Sequence, residues 1–156
     1  MHPYLNKSAC LEAAGGSTRD GAQVQMYKCT SYPLGAITPL HQRWTFRNLG
    51  NGYFRLIDGN GKCANVGGNS KLDGAKIIHY TCQTNAAYND QWKVTKRYRS
   101  GVDYYDFKNR NSGKCMQVGL TEVVNGDDAI QEPCASDTPG TVTFAQIFTW
   151  DPATQS

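Results

Sequence analysis

The chain has 156 residues, of which 39% are hydrophobic, and it carries a formal net charge of +3 with its histidines counted as neutral. This length suits one compact domain, and so mild a charge gives no reason to expect nucleic acid as a partner. No segment has the periodicity of a long amphipathic helix or the length of a transmembrane span. With sixteen glycines and nine tyrosines, the composition favours an all-β fold of short strands joined by turns.

Six cysteines form three pairs with the same internal spacing. The pairs are Cys10 with Cys29, Cys63 with Cys82, and Cys115 with Cys134. Each pair spans 19 positions, and the pairs begin 53 and then 52 residues apart, which indicates three copies of one structural unit. An even number of regularly spaced cysteines predicts one disulfide in each unit and a secreted, oxidising setting. The spacing is too long for a zinc knuckle, so we expect neither a metal nor another cofactor.

Each cysteine pair encloses a tight turn and then a short strand. The turn dipeptides lie nine residues before the second cysteine, at Asp20-Gly21, Asp73-Gly74 and Asn125-Gly126. Such dipeptides accept a positive φ and favour tight turns. The strand-like runs that follow are residues 24–29, 76–82 and 129–134. The second cysteine of each unit therefore closes a hairpin-like loop.

Large apolar residues two positions apart follow the second cysteine of each unit. They are Trp44 with Phe46, Trp92 with Val94, and Phe148 with Trp150. A period of two places both members on one face of a strand, and we expect them to fill a shared core. A further strand follows at Tyr53–Ile57 and at Tyr104–Phe107, but the third unit has no counterpart. Residues 1–5 are expected to supply it by pairing with the other end of the chain, which closes the sheet.

The segment Val24–Cys29 followed by Gln42-Arg43-Trp44 resembles the repeat of the ricin B-type lectins, which carries a QxW motif. The motif recurs in altered form as Asp90-Gln91-Trp92 and Gln146-Ile147-Phe148. The resemblance covers essentially the whole chain and implies an all-β fold, a β-trefoil of three pseudo-threefold repeats with one disulfide in each. It also implies a single domain over residues 1–156, with repeats at about 1–48, 49–97 and 98–151.

The resemblance further implies where a sugar would bind in each repeat. In the family, an aromatic ring two residues before the second cysteine supports the sugar, and nearby polar groups hold its hydroxyls. The first repeat matches this pattern with Tyr27 as the ring and with Glu12, Gln25, His41 and Gln42 as the polar groups. It is expected to be the most competent repeat, although glutamate and histidine stand where the family usually has aspartate and asparagine.

The second and third repeats depart further from the family pattern. The second offers Tyr80 as the ring, with Asn65, Asn89 and Asp90 as polar groups. Asp90 replaces the first glutamine of the motif and would supply the carboxylate that Asn65 lacks. The third repeat has Glu132 at the ring position and Gln117 at the acid position. A carboxylate cannot replace the apolar face of a ring, so we expect no sugar there.

The chain resembles a binding module and carries little that suggests an enzyme. No GxSxG, HExxH or phosphate-binding motif is present. The function that the resemblance implies is non-catalytic carbohydrate binding by a secreted lectin-like module. Its expected partners are a glycan on a cell surface or a polysaccharide, together with a companion toxin or catalytic chain that the module targets. Neither nucleic acid nor a transmembrane segment is expected.

Three alternatives remain open at this point. A degenerate lectin-like surface would serve a protein partner or receptor in place of a sugar. The loop Thr30–Leu40, with Pro33 and Pro39, would be the inhibitory loop of a β-trefoil protease inhibitor. The basic run Lys96-Arg97-Tyr98-Arg99 would attract an anionic glycan or membrane surface if its charges converge.

Overall fold

In each repeat one strand begins within three residues of the turn dipeptide of the sequence. The computed structural model describes residues 1–30, 38–119, 122–135 and 144–150. Their strands are β1 (His2–Pro3), β2 (Ala9–Ala13), β3 (Ala22–Lys28), β4 (Trp44–Asn48), β5 (Tyr53–Asp58), β6 (Lys62–Val66), β7 (Ile77–Thr81), β8 (Trp92–Arg99), β9 (Val102–Asn109), β10 (Cys115–Val118), β11 (Ala129–Glu132) and β12 (Phe148–Thr149). No helix in these ranges is long and apolar enough to cross a membrane.

Half of the strands form a barrel and the other half form three hairpins. In the barrel, β1 pairs with β12, β12 with β9, β9 with β8, β8 with β5, and β5 with β4. The hairpins are β2–β3, β6–β7 and β10–β11. They meet one another where β3 pairs with β7 and where single bridges join Gln25 to Asp128 and Lys76 to Ile130. This arrangement is a β-trefoil, as predicted, with strands β1–β4, β5–β8 and β9–β12 as its first, second and third repeats.

The two ends of the described chain pair with each other. His2 lies opposite Thr149 and Pro3 lies opposite Phe148 in the antiparallel pair of β1 and β12. Because β12 also pairs with β9, the first residues occupy the strand position that the third repeat lacks. The prediction that residues 1–5 supply this strand is confirmed.

Three equivalent aromatic side chains meet in the core. Trp44, Trp92 and Phe148 are completely buried, and burial of each stabilises the fold by roughly 2–3 kcal/mol. Each indole N–H has an acceptor, since Trp44 donates to the carbonyl of Leu11 at 2.8 Å and Trp92 donates to the carbonyl of Ala64 at 3.0 Å. The second member of each predicted pair packs around this centre and is partly buried.

The three predicted disulfides are all present. They join Cys10 to Cys29, Cys63 to Cys82 and Cys115 to Cys134. Each closes a loop of similar length and stabilises the fold by roughly 3 kcal/mol in the chain-entropy account. His2 lies beside the first disulfide, with its Nδ1 3.5 Å from the Sγ of Cys29. The sulfurs of Cys10 and Cys29 are bonded to each other, so they offer no thiolate to a metal ion.

Ion pairs join successive repeats at the turn dipeptides. Lys62 donates to Asp20 at 2.6 Å and Lys114 donates to Asp73 at 2.7 Å, and each lysine directly precedes the first cysteine of the next repeat. The hydrogen bond from Lys62, with further hydrogen bonds from Thr81, holds the pKa of the Asp20 carboxyl below its ordinary value. The first and second repeats are thus each tied to the repeat that follows by the aspartate of their turn dipeptide.

Candidate functional site

The predicted residues of the first repeat converge on Glu12. Glu12 and Gln25 lie opposite each other on β2 and β3. Gln25 donates to Oε1 of Glu12 at 3.0 Å, and Gln42 donates to Oε2 at 2.7 Å. His41 Nε2 lies 3.6 Å from the same Oε2. The carboxylate is buried, whereas Tyr27 has 44% of its surface exposed. Both oxygens of Glu12 therefore accept hydrogen bonds within the protein.

The first glutamine of the QxW motif braces the chain that leaves the second cysteine. Gln42 is buried, accepts from the backbone N–H of Thr30 at 3.0 Å and donates to the carbonyl of Lys28 at 3.1 Å. In the third repeat, Gln146 accepts from the N–H of Ala135 at 2.9 Å and donates to the carbonyl of Pro133 at 2.9 Å. The same amide therefore makes the same pair of backbone contacts in both repeats.

Asp90 makes only half of these contacts in the second repeat. Its Oδ2 accepts from the N–H of Gln83 at 2.8 Å, but a carboxylate has no hydrogen to donate. Arg55 of β5 bonds to Oδ2 of Asp90 at 2.9 Å and also donates to the carbonyl of Gln83, which follows the second cysteine, whereas the amides of the other repeats donate to the carbonyl that precedes it. Asp90 is completely buried, so the structure keeps its carboxylate in the interior, away from the surface where the sequence suggested it.

A pocket of about 240 Å³ opens in the second repeat. Its lining residues are Asn65, Gly68, Asn69, Ile78, Tyr80, Gln83 and Asn89. None of these side chains carries a formal charge. Tyr80 is 37% exposed, while Asn65 and Asn89 are buried. The structure thus brings together three of the four residues predicted for this repeat, and the fourth, Asp90, does not line the pocket.

Asn89 is held in place by its amide nitrogen and leaves its amide oxygen unused. The Nδ2 atom donates to Oδ1 of Asn65 at 2.8 Å and to the carbonyl of Val66 at 2.9 Å. The Oδ1 atom is buried and has no hydrogen-bond partner among the described residues. A buried polar atom without a partner costs roughly 1–3 kcal/mol. Among the described residues, Oδ1 of Asp90 is in the same state.

The equivalent place in the first repeat is covered by an imidazole. A Cβ atom at Gly16 would lie 3.4 Å from Nδ1 of His41, so that ring lies directly over the glycine. The second repeat has Asn69 and Asn89 at these two positions. Because Asn89 stands where the first repeat has His41, the second repeat has less side-chain volume beside the ring of Tyr80.

The third repeat matches the expectation of an altered site. Glu132, at the ring position, lies at the end of β11 and is partly buried. Gln117 accepts from Nε2 of Gln146 at 3.0 Å and donates to the carbonyl of Gly119 at 3.3 Å. Its amide is therefore engaged with the protein on both sides.

The basic run of the sequence is largely neutralised by neighbouring acids. Lys96 bonds to Asp103 at 2.8 Å and Arg97 bonds to Asp106 at 2.7 Å across the β8–β9 hairpin. The hydrogen bond from Lys96 to Asp103 raises the pKa of the lysine. These pairs weaken the case for an anionic ligand. Residues 31–37 of the loop considered for protease inhibition lie outside the described residues.

Sequence reasoning missed two arginines that touch the second site. Arg55 bonds to Asp90 and Gln83 as described above. Arg110 follows β9, and its guanidinium lies 3.9 Å from the ring centroid of Tyr88 and 4.5 Å from that of Tyr53. Aspartate at position 90, in place of the motif glutamine, is the one signal in the sequence that points to Arg55, because a buried carboxylate needs a cation close by.

Several solved structures share this fold. The designed threefold-symmetric protein ThreeFoil superposes with a TM-score of 0.72 at 28% identity over 94% of this chain and 91% of that one. An exo-β-1,3-galactanase from Clostridium thermocellum, 1,3Gal43A, gives 0.69 at 27% identity over 89% of this chain. The Polyporus squamosus lectin, solved with a Neu5Acα2-6Galβ1-4GlcNAc epitope, gives 0.65 at 16% identity over 91% of this chain. The chain spans only 26% of the galactanase and 44% of the lectin.

No curated protein sequence matches the chain. A family model does match, and it covers residues 3–140 under the description Ricin-type beta-trefoil lectin domain. The match spans all three disulfides and the pocket of the second repeat. By fold, by motif and by this match, the chain belongs to the family of ricin-type β-trefoil lectin domains.

Proposed function

We propose that the chain is a non-catalytic carbohydrate-binding module whose principal site is the pocket of the second repeat. The observation that carries this proposal is the pocket itself, where an exposed ring and a group of amides line one opening. The ring of Tyr80 would support the C–H face of a sugar by apolar and CH–π contact. The amides of Asn65, Asn69 and Gln83 offer the mixed donors and acceptors that sugar hydroxyls need.

The lack of charge in the lining favours a neutral sugar. Recognition there would rest on hydrogen bonds to neutral groups, which salt screens little. The unpartnered Oδ1 of Asn89 adds a buried acceptor close to the pocket. A hydroxyl or amide hydrogen that reached it would relieve the cost of leaving it unpaired.

The first repeat is proposed as a second, weaker site. Tyr27 is exposed there, and Glu12 lies opposite Gln25, two residues before Tyr27 on β3. The oxygens of Glu12 already accept from Gln25 and Gln42, and His41 lies over Gly16. A sugar would have to share these acceptors, although each carboxylate oxygen has two lone pairs. No site is proposed for the third repeat, because Glu132 offers no ring.

The module is proposed to work outside the cell and to target a partner to glycans. Three disulfides fit an oxidising compartment. The galactanase is a longer protein of which this chain matches only a quarter, so a companion catalytic or toxin chain is part of the proposal. Shallow sugar sites bind weakly, and two sites on one rigid body would raise avidity without any new contact.

A glycan array tests this proposal. The wild type, Tyr80→Ala and Tyr27→Ala would be compared on an array that includes β-1,3-galactobiose, sialylated glycans and their uncharged cores. We expect binding to neutral glycans, with the larger loss from Tyr80→Ala. Binding of no glycan at all would overturn the proposal and favour a protein partner. Binding that neither substitution weakens would place the site elsewhere.

A further inference from the structure

The second-repeat pocket is shaped by the segment that joins Cys82 to Trp92. This segment, residues 83–91, is called the pocket loop here because Gln83 and Asn89 both line the pocket. It contains no strand or helix, so no ladder of backbone hydrogen bonds fixes its course. Its conformation is set by individual backbone hydrogen bonds, such as that from the N–H of Val66 to the carbonyl of Asn89 at 3.0 Å, and by side chains that contact it.

One of these side chains comes from the third repeat. The backbone N–H of Arg110 donates to the carbonyl of Gln91 at 2.8 Å, and its Nη1 donates to Oε1 of Gln91 at 2.8 Å. The guanidinium also lies over the ring of Tyr88 at 3.9 Å and over that of Tyr53 at 4.5 Å. Arg110 therefore contacts the pocket loop on both sides of Asn89.

The residues beside Arg110 reach the same pocket. Asn109 donates to the backbone carbonyl of Asn89 at 2.9 Å. Asn111 donates to the backbone carbonyl of Asn69, another lining residue, at 3.2 Å. Three consecutive residues of the third repeat thus hold two walls of a pocket that belongs to the second.

The backbone of Tyr88 shows why this support is needed. Tyr88 has a φ of +59°, a left-handed conformation that costs a bulky residue roughly 1–2 kcal/mol. Such a conformation persists where the surroundings fix it. The guanidinium of Arg110 makes a cation–π interaction with the ring of this strained residue, and stacking of this kind supplies about 0.5–2 kcal/mol.

The junction between the first and second repeats lacks such a side chain. The residue that follows β5 is Gly59, where β9 is followed by Arg110. A Cβ atom at Gly59 would lie 2.6 Å from the carbonyl oxygen of Leu40. The backbones are therefore too close at this junction for an arginine. At the junction of the third repeat with the first, Tyr4 takes the equivalent place, since its N–H donates to the carbonyl of Ile147 at 2.9 Å and its ring stacks on that of Phe144 at 4.8 Å. The cation and its bond to a loop side chain are what distinguish Arg110 from Tyr4.

We infer that Arg110 is a positioning residue for the second-repeat pocket, so that a site in one repeat is assembled by the next. This inference rests on the proposed function for its binding consequence, but its structural part does not. Arg110 fixes Tyr88 and Gln91, and these in turn fix Asn89 between them. The third repeat, which offers no platform ring of its own, then contributes to binding through its neighbour.

Hydrogen–deuterium exchange of the whole chain tests the structural part. In Arg110→Ala, we expect exchange in residues 83–91 to accelerate about tenfold, equivalent to about 1.4 kcal/mol of local stabilisation. The strands of the first repeat should exchange as in the wild type. Arg47→Ala, at an exposed arginine of β4, is the matched control. Exchange that is unchanged in 83–91, or accelerated equally throughout the chain, would overturn the inference.

Titration with β-1,3-galactobiose in a Tyr27→Ala background tests the binding part. Arg110→Ala should weaken binding about tenfold while the thermal midpoint stays close to that of Arg47→Ala. Arg110→Lys keeps a cation near Tyr88 but loses the guanidinium hydrogen bond to Gln91, so its glycan affinity should lie between that of Arg110→Ala and that of the Tyr27→Ala parent. Undiminished binding by Arg110→Ala would overturn the inference. If the parent binds no glycan on the array, the proposed function fails, and the exchange data alone decide whether Arg110 positions the loop.

Discussion

Arg55 donates to the buried carboxylate of Asp90 at 2.9 Å, at a motif position where the first and third repeats have a neutral glutamine. With this cation beside it, the carboxylate of Asp90 accepts from the backbone N–H that follows the second cysteine, as the amides of Gln42 and Gln146 do in the other repeats. It also ties β5 to Gln83, which lines the pocket. In the second repeat, the carboxylate at this motif position is accommodated by a cation from a neighbouring strand.

Arg55→Ala is predicted to destabilise the fold by about 3 kcal/mol, because it leaves the carboxylate of Asp90 buried without its cation. Urea unfolding measures the effect, with Arg47→Ala as the control for loss of a surface arginine. The double variant Arg55→Leu with Asp90→Gln should recover most of the loss, since it restores the amide found in the other repeats. A loss no larger than that of the control would contradict the role given to Asp90.

His79 is predicted to be replaceable by glutamine but not by leucine. Its Nδ1 lies 2.7 Å from Oδ2 of the buried Asp58 and its Nε2 lies 2.6 Å from the carbonyl of Arg19. Gln131, at the same place in the third repeat, donates to the carbonyl of Leu72 at 2.9 Å. His79→Leu should cost about 3 kcal/mol through the polar groups left unpaired.

His79→Gln should cost less than half as much as His79→Leu in the same urea measurement. A glutamine amide at position 79 can donate to the carbonyl of Arg19, as Gln131 donates to the carbonyl of Leu72. Equal losses for the two variants would show that ring packing, and not the two hydrogen bonds, accounts for the contribution of His79.

Asp20 is predicted to contribute to acid unfolding. Its pKa lies below the ordinary value of 3.8, chiefly through the hydrogen bond from Lys62. The unfolded chain therefore binds a proton more readily than the folded one, so the stabilisation is complete above the unfolded pKa. It disappears as the pH falls through the lowered pKa of the folded state. Asp20→Asn should be less stable than the wild type at pH 5, and the difference should shrink below pH ~4. A constant difference between urea midpoints at pH 5 and pH 2.5 would contradict this assignment.

The fold was predictable because its determinants repeat locally. Equal cysteine spacing, a turn dipeptide nine residues before the second cysteine, and a large apolar residue such as Trp44 or Trp92 recur in each unit. Each of these features acts within one hairpin or one strand, so sequence distance and spatial distance agree. The closing pair of His2 with Thr149 was also predictable, because a strand missing from one end must come from the other.

The candidate site was predictable only in part, because its shape depends on contacts between repeats. Tyr80 and Asn65 follow from their positions relative to the cysteines, and Asn89 follows from its place before the motif residue Trp92. The burial of Asp90 depends on Arg55, which lies 35 residues earlier in the chain. The course of the pocket loop depends on Arg110, which belongs to another repeat. No periodic pattern in the sequence indicates either arginine.

The central proposal is that the second-repeat pocket binds a neutral sugar, and a site-resolved NMR titration tests it most directly. The chain, labelled with ¹⁵N and ¹³C, would be titrated with β-1,3-galactobiose and with the neutral glycan that binds most strongly on the array. The proposal predicts shifts of the side-chain amide signals of Asn65 and Asn89 and of the ring signals of Tyr80, with smaller changes at Tyr27. Shifts confined to Tyr27, or to residues outside the proposed sites of the first and second repeats, would contradict it. An Asn89 side-chain amide signal that does not shift at saturating glycan would contradict it as well.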